Sequence, residues 1–278
     1  MRETIRISKF LLIILLISSV VMNGCKKDED GGDPPDLPPQ SALLMDFSAF
    51  QENKAALKSV ETKWNFLQAS IIVAVWDVIA LVAVVVPATA YAEAFKHDPV
   101  YKGNNSWEWA YSIMANQIEI SARLVSRRIS NEQFTLKFYV STSGPIQYGQ
   151  GSVTLDDFLW FEGTVRYDGT EADWTLYEPV NAKEYLAISW EKDFEEDTWM
   201  INYEIINPGD PENGSYIEQG HTTRTDYNAY FVIDYADKTT EIEWETTGYS
   251  GRIKAEHSFG DTNWHCWDEN QMDIECGK

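Results

Sequence analysis

Basic residues are scarce in this sequence of 278 residues. It holds 22 Lys and Arg against 44 Asp and Glu, which gives a formal net charge of −22. A chain this negative repels a phosphate backbone, so nucleic acid is excluded as a partner. Apolar residues still make up 44% of the chain and aromatic residues 13%, enough for a sizeable core. The length fits one or two domains.

Signatures of known catalytic sites are absent as well. The sequence has no HExxH, no GxSxG and no P-loop motif, and its four histidines are scattered. Acidic residues crowd two turns, at 168–173 and 193–197, without the EF-hand order that would favour calcium. We therefore predict a protein that is not an enzyme and that holds no cofactor and no metal. Calcium binding at these two acidic turns stays open as an alternative. So does a glycosidase-like acid pair, because sequence does not show the separation of two carboxylates.

The N-terminus has the pattern of a secretory signal. Arg2, Arg6 and Lys9 precede the apolar run FLLIILLISSVV at 10–21. This run is too short to span a bilayer and has the length of a signal-peptide core. We predict a signal peptide over 1–24, and therefore export.

The signal ends in Met22-Asn23-Gly24-Cys25. A small residue before a cysteine at this place resembles the lipobox of bacterial lipoproteins, which implies cleavage before Cys25 and its attachment to acyl chains. An ordinary signal peptide with a chance cysteine is the alternative. The charged run at 26–30, KKDED, looks like the surface-export signal of lipoproteins from one large Gram-negative phylum. The two resemblances imply a lipid-anchored outer-membrane protein that faces the cell exterior, with the membrane as a partner through its anchor.

A tether is predicted between the anchor and the folded domain. Residues 25–41 hold the lipidated cysteine and a tract rich in Pro, Gly and Asp, which is stiffened by proline and solvated by charge. The mature chain 25–278 carries 19 basic and 43 acidic residues, a net charge of −24. We expect so negative a domain to stand off from anionic membrane surfaces.

Two cysteines remain, Cys266 and Cys276, ten residues apart near the C-terminus. Because export brings the chain into an oxidising compartment, we predict a disulfide between them. Metal binding through His265 and these two cysteines is the alternative. It has poor support, since adjacent His and Cys are badly placed to bind one ion and no second pair completes a tetrahedron.

Residues 42–100 are predicted to be helical. An apolar set recurs at three- and four-residue spacing, which indicates one buried face: Trp64, Leu67, Ile71, Val75, Val78, Ile79 and Val82. Pro87 kinks a helix or begins a new one, so we predict helices over 58–85 and 88–97. Residues 71–92 are long enough to cross a bilayer, but Asp77 among them would cost roughly 2.5–3.5 kcal/mol near its centre. We expect helices enclosed by the fold, with membrane insertion as the alternative.

From residue 106 to 278 the apolar period changes to two, which predicts strands with one buried face. Within 133–142, for example, Phe134, Leu136, Phe138 and Val140 alternate with polar residues. Short turns such as Asn213-Gly214 require antiparallel neighbours. We predict ten to twelve strands and a single domain over 42–278. Its fold class is α+β, mostly β: a long antiparallel meander, as a half-barrel or open barrel, wrapped around the apolar helix pair.

Two further resemblances concern the mature chain. Five stretches look like a group of exported lipoproteins of unassigned function: AFKHDPV, DFLWFEG, PENGSYIEQG, TEIEW and NWHCWDENQMDIEC. The helix and meander, with YDGTEADWTLYEP in the middle, are similar in plan to the LolA-type half-barrel that carries lipoprotein acyl chains. Neither resemblance brings a binding residue with it.

Aromatic residues supply the candidates for ligand contact. Those nearest to turns or chain ends could stack on sugar rings if they are exposed, and otherwise belong to the core: Trp107, Trp109, Trp160, Trp264 and Trp267. We predict a surface-tethered, non-enzymatic lipoprotein with a binding or envelope-structural role and a lipid, glycan or protein ligand. A carrier of apolar ligands and a glycan-binding module are the alternatives. An empty cavity would favour the carrier, a row of exposed aromatic rings would favour the glycan binder, and a filled core would favour surface interaction.

Overall fold

The computed structural model describes residues 32–51, 63–115, 117–149 and 151–277. Residues Pro35–Lys278 form one compact unit, so the folded part begins before residue 42, where the sequence analysis placed its start. The predicted signal peptide, Cys25 and residues 58–62 of the first predicted helix lie outside the described residues.

One antiparallel sheet of fourteen strands dominates this unit and is not closed into a barrel. Its strand order follows the chain from β1 to β16, except that β5 and β6 leave it to form a separate hairpin. The strands are β1 Val100–Gly103, β2 Ser106–Ala115, β3 Ile118–Arg128, β4 Gln133–Thr142, β5 Ile146–Tyr148, β6 Gly151–Val153, β7 Phe158–Arg166, β8 Glu171–Glu178, β9 Lys183–Asp193, β10 Thr198–Ile205, β11 Tyr216–His221, β12 Ala229–Tyr235, β13 Lys238–Trp244, β14 Gly251–Lys254, β15 His265–Trp267 and β16 Asp273–Ile274.

The predicted fold class is confirmed, and so is the alternation of buried and exposed residues. In β4 every second residue is buried, from Phe134 to Thr142. The strands outnumber the ten to twelve that were predicted, because pieces of two to four residues are too short to show a period of two.

Two helices precede the sheet, α1 at Trp64–Ala83 and α2 at Val85–Ala94; a short α3 at Glu256–Phe259 lies between β14 and β15. The break between α1 and α2 falls at Val84, just before Pro87. Proline has no N–H to offer the carbonyl four residues earlier, that of Ala83, and its ring crowds that carbonyl. The expected interruption is therefore present, but α1 is shorter than predicted. Helix α2 has the predicted length and lies three residues earlier, so it begins before the proline.

The helix pair connects the two ends of the open sheet. Helix α1 contacts β14, β15 and β16, whereas α2 contacts β2 and β3. The side of α1 that packs inward is apolar and partly small, with buried Phe66, Ala69, Val73, Trp76, Ala80 and Ala83.

The prediction of which face of α1 is buried is wrong. Ile71 and Val78 of the predicted stripe are 52% and 59% exposed, and Trp64, Val75 and Val82 are exposed too. Both sides of the helix carry apolar residues at helical spacing, so periodicity alone could not choose between them. Alanines on the other side let the backbone approach the sheet closely, and Trp76 fills the remaining space. The helices are therefore not enclosed on all sides.

A segment of the chain itself fills the concave side of the sheet. It consists of two 3₁₀ turns, Gln40–Ala42 and Ser48–Phe50, joined by residues without regular secondary structure, so the helical prediction is wrong here. Inward side chains of the sheet bind its main chain. Trp174 donates to the carbonyl of Ala42 at 3.1 Å. The Gln219 amide both donates to the Asp46 carbonyl, at 2.7 Å, and accepts from the Asp46 N–H, at 3.0 Å.

Aromatic side chains extend the packed core toward the last strands of the sheet. Phe50 packs against Phe66, Phe231, Trp244 and Trp267 with ring centroids 5.2–6.5 Å apart. Because the segment brings its own apolar side chains and finds its hydrogen bonds on the sheet, the interior is a packed core.

Three glycines make room for aromatic rings directly across the strands. Gly163 lies opposite Trp174, Gly220 opposite Tyr230, and Gly251 opposite Trp267. A Cβ at each of these glycines would come within 2.4 Å of the partner ring. Glycine with a ring laid over it is a recognised way to bend a sheet without a gap.

Candidate binding surface

One apolar surface of the unit is left to solvent. It comprises Ile71, Val75, Val78, Leu81 and Val82 of α1 and Val86 of α2, here called the outer stripe. Spacings of three and four residues put these side chains on one side of the helix pair, away from the inward side. Leu81 is 60% exposed, and Val86 is 50% exposed.

The outer stripe carries no charge of its own. Between residues 64 and 95 the sequence has two ionisable acids, Asp77 and Glu93, and no Lys or Arg. Asp77 lies at the edge and accepts a hydrogen bond from the Gln51 amide at 3.1 Å. Glu93 binds Lys96, just beyond α2, at 2.6 Å. The stripe is thus a neutral apolar surface on a strongly acidic protein.

Aromatic side chains lie near the two ends of the stripe. Trp64, at the start of α1, is 41% exposed, and Phe95, at the end of α2, is 48% exposed. Lys63 and Lys96 are their immediate neighbours in sequence.

Exposure of this stripe has a substantial free-energy cost. Complete burial of a Val, Leu or Ile side chain stabilises a protein by about 1.5–3 kcal/mol. The side chains of the stripe are roughly half exposed, so each contributes only about half of that free energy. Covering all six residues with a second apolar surface would therefore gain several kcal/mol of hydrophobic free energy. Contiguous apolar surface of this kind marks an interaction site in soluble proteins.

The N-terminal segment enters the unit beside the same helix pair. The buried Tyr91 hydroxyl on α2 donates to the Pro38 carbonyl at 2.7 Å, and the Gln40 amide donates to the Ala88 carbonyl at 3.1 Å. Burial raises the pKa of Tyr91 and keeps its hydroxyl protonated as a donor. The predicted tether is therefore shorter than 25–41, because its last residues are docked on α2.

Helix α1 is also the one described helix long and apolar enough to cross a membrane. It has 20 residues, a mean hydropathy of 2.2, and one third of its most apolar stretch buried in the unit. A bilayer-spanning position would surround the helix with lipid and pull Phe66, Val73 and Trp76 out of the core. The observed packing supports contact with an apolar phase along one side only.

The five candidate tryptophans do not form a row of exposed rings. Trp107, Trp109, Trp160 and Trp267 are buried in the core. Trp264 is half-buried, and the guanidinium of Arg252 lies 4.2 Å from its ring centroid. For the four buried tryptophans these positions match the core interpretation, and no row of exposed indole rings is formed by the five.

Shallow polar depressions lie on the outside of the sheet. One of about 470 Å³ crosses β4 and β7–β10 and is lined by outward Thr135, Thr164, Asp173, Ser189 and Asn202, among others. Burial and the neighbouring Glu171 raise the pKa of Asp173. At the rim, hydrogen bonds from Lys137 and Tyr177 lower the pKa of Glu162. Such side chains can hydrogen-bond a polar ligand, but they are also the ordinary outward residues of a solvated sheet.

The candidate metal ligands are bonded to other groups of the protein. Cys266 and Cys276 form a disulfide, as predicted, and His265 bonds to Asp261 at 3.1 Å. In the turn at 168–173, hydrogen bonds from Arg166 and Thr170 lower the pKa of Asp168 to about 2. Across the described ranges, no group of three or more His, Cys, Asp or Glu could hold a metal ion.

Comparison of the chain with protein-family models, curated proteins and solved structures gives no match. The outer stripe is the feature that sequence reasoning located but misassigned, since it was taken for the buried side of α1. The signal that could have separated the two sides was the run of small residues at Ala69, Ala80 and Ala83, which favours close packing.

Proposed function

We propose that this chain is a lipid-anchored protein of the bacterial outer membrane, facing the cell exterior, which binds rather than catalyses. The export signal, Cys25 and the charged run after it support the anchor. The outer stripe is the observation that carries the binding role, because contiguous exposed apolar surface on a packed domain marks an interaction site.

The filled interior supports surface binding over carriage of a lipid in a half-barrel. A carrier needs an apolar cup, and here Leu43, Phe47 and Phe50 occupy the concave side. The burial of four candidate tryptophans likewise gives a glycan-stacking role little support.

The anchor is tested with Cys25→Ala expressed in a Gram-negative host beside the unchanged protein. The unchanged chain should sediment with membranes and incorporate labelled fatty acid, whereas the variant should do neither. Protease added to intact cells should digest the anchored protein if it faces outward. A variant that still incorporates label, or an anchored protein that resists protease until cells are opened, would refute the corresponding part of the proposal.

A further inference from the structure

We infer that the outer stripe rests on the lipid bilayer that holds the anchor, so that the domain lies on its helix pair instead of standing off on its tether. This inference builds on the proposed attachment at Cys25. The helix pair would lie in the membrane plane, with the outer stripe at the boundary of headgroups and acyl chains and the inward side still packed on the sheet.

The length of the chain before the folded unit favours the membrane as the occupant. Nine residues, 26–34, lie between Cys25 and Pro35, the first residue of the compact unit, so the two are ten Cα–Cα steps apart. Fully extended, this stretch reaches at most about 35 Å. Since Pro38 and Gln40 are bonded to α2, the tether leaves the unit beside the helix that carries Val86. An anchored chain therefore keeps the helix pair within about 35 Å of the bilayer.

The size of the outer stripe argues against a second copy of this chain as the occupant. Helix α1 has 20 residues, so at 1.5 Å per residue and a width of about 10 Å its face covers roughly 300 Å². A stable protein interface buries about 800 Å² on each partner. A lipid bilayer requires no such minimum contact area, because it can contact the stripe along its whole length.

The residues at the ends of the outer stripe fit a lipid surface too. Tryptophan prefers the region between headgroups and acyl chains, where Trp64 would lie. Phenylalanine is common on the apolar face of helices that lie in this region, as Phe95 would. Long lysine side chains reach from such a position to the headgroups, and Lys63 is next to Trp64. Lys96, next to Phe95, is paired with Glu93.

Charge makes the inference specific about the lipid. The mature chain has a net charge of −24, so anionic headgroups repel the rest of the domain while the outer stripe is attracted to the apolar phase. Binding should therefore be strongest on zwitterionic vesicles. It should weaken when anionic lipid is added at low salt, and recover when salt screens the repulsion.

The test uses residues 26–278, made without the anchor, and flotation with phosphatidylcholine vesicles. The unchanged chain should float with vesicles, and the double variant Val78→Ser/Leu81→Ser should bind at least about tenfold more weakly, since it loses two exposed apolar side chains. The matched control is Ile129→Ser/Val180→Ser, which alters two residues in turns that are 53% and 63% exposed. The control should bind as the unchanged chain does, and circular dichroism should show all three folded.

Two results would overturn the inference. One is equal vesicle binding by the stripe variant and the control variant. The other is no vesicle binding by the unchanged chain together with a dimer that Val78→Ser/Leu81→Ser dissociates, which would make the outer stripe an interface between copies. Because the vesicle assay lacks the anchor, its failure leaves the result for Cys25→Ala intact, and a failed anchor leaves vesicle binding measurable.

Discussion

The carboxylate of Asp273, in the last strand, accepts a hydrogen bond of 2.9 Å from the backbone N–H of Asn65, in the first turn of α1. Its second oxygen accepts from the N–H of Trp64 at 3.0 Å. The first N–H groups of a helix have no partner within it, and no side chain at Lys63 supplies one. The far end of the chain thus caps the helix that carries the outer stripe, and the Asn65 amide returns a bond to the Cys266 carbonyl at 2.8 Å.

Removing this cap should destabilise the whole unit. We expect Asp273→Ala to lower the free energy of unfolding by about 1–2 kcal/mol, because two helix N–H groups lose their acceptor and a negative charge leaves the positive end of the helix dipole. Glu275→Ala, two residues away and exposed, is the control and should change little. Urea denaturation measures both. Equal midpoints for the two variants would show that the cap contributes nothing.

The disulfide should stabilise the unit and hold Asp273 in place. Cys266→Ala/Cys276→Ala opens a loop with a sequence separation of 10 and should cost about 2.5–3 kcal/mol through the greater entropy of the unfolded chain. Asp273 lies inside that loop, so the effect of Asp273→Ala should be smaller without the disulfide. A double-mutant cycle in urea measures this coupling. Strictly additive losses would mean that the cap and the disulfide act independently.

Gly163 should not tolerate even a methyl group. A Cβ there would meet the Asp173 carbonyl at 2.2 Å and the Trp174 ring at 2.3 Å, so Gly163→Ala must shift the strand or the indole. We expect a loss of about 1–3 kcal/mol in stability and altered near-ultraviolet circular dichroism. At Gly144 the nearest atom would be 3.8 Å away, which makes Gly144→Ala the matched control. A neutral Gly163→Ala would show that the ring moves freely.

Tyr203 connects the sheet to the segment that fills it. Its hydroxyl donates to the Leu43 carbonyl at 2.7 Å and accepts from the Met45 N–H at 2.8 Å. Tyr203→Phe leaves both buried groups unpaired and should cost about 2–3 kcal/mol at neutral pH. The exposed Tyr249→Phe serves as the control. If thermal denaturation shows the same loss for both, the hydroxyl does not hold the segment.

Alkaline pH should weaken the same connection. Burial raises the pKa of Tyr203 in the folded state, and the bond from Met45 offsets this in part. A raised folded pKa means that the contribution to stability is complete below the unfolded value of about 10, and is lost as pH rises above it. The partly buried Tyr148, whose pKa burial raises to about 12, acts in the same direction. Between about pH 9 and 11 the unchanged protein should lose more stability than Tyr203→Phe. Parallel pH curves would contradict this.

Local patterns in the sequence were sufficient for the sheet. Alternation in residues such as Phe134, Leu136 and Phe138 specifies strands, because each strand buries one face whatever its partner. Short turns made the neighbours antiparallel and gave the meander. The disulfide was predicted from the expected export and from two cysteines ten residues apart. These features depend on composition, period and spacing, which are properties of neighbouring residues along the chain.

Tertiary structure decided what the sheet encloses and what remains outside. Residues 42–50 fill the concave side because Trp174, Tyr203 and Gln219 offer hydrogen bonds from strands more than 130 residues away, which no local pattern records. Helix α1 is apolar on two sides, so its orientation depended on which side could approach the sheet. The alanine side packed inward, and Ile71, Val78 and Leu81 remained on the surface. Sequence alone therefore determined that α1 is apolar, whereas close packing against the last strands of the sheet decided which side is left exposed.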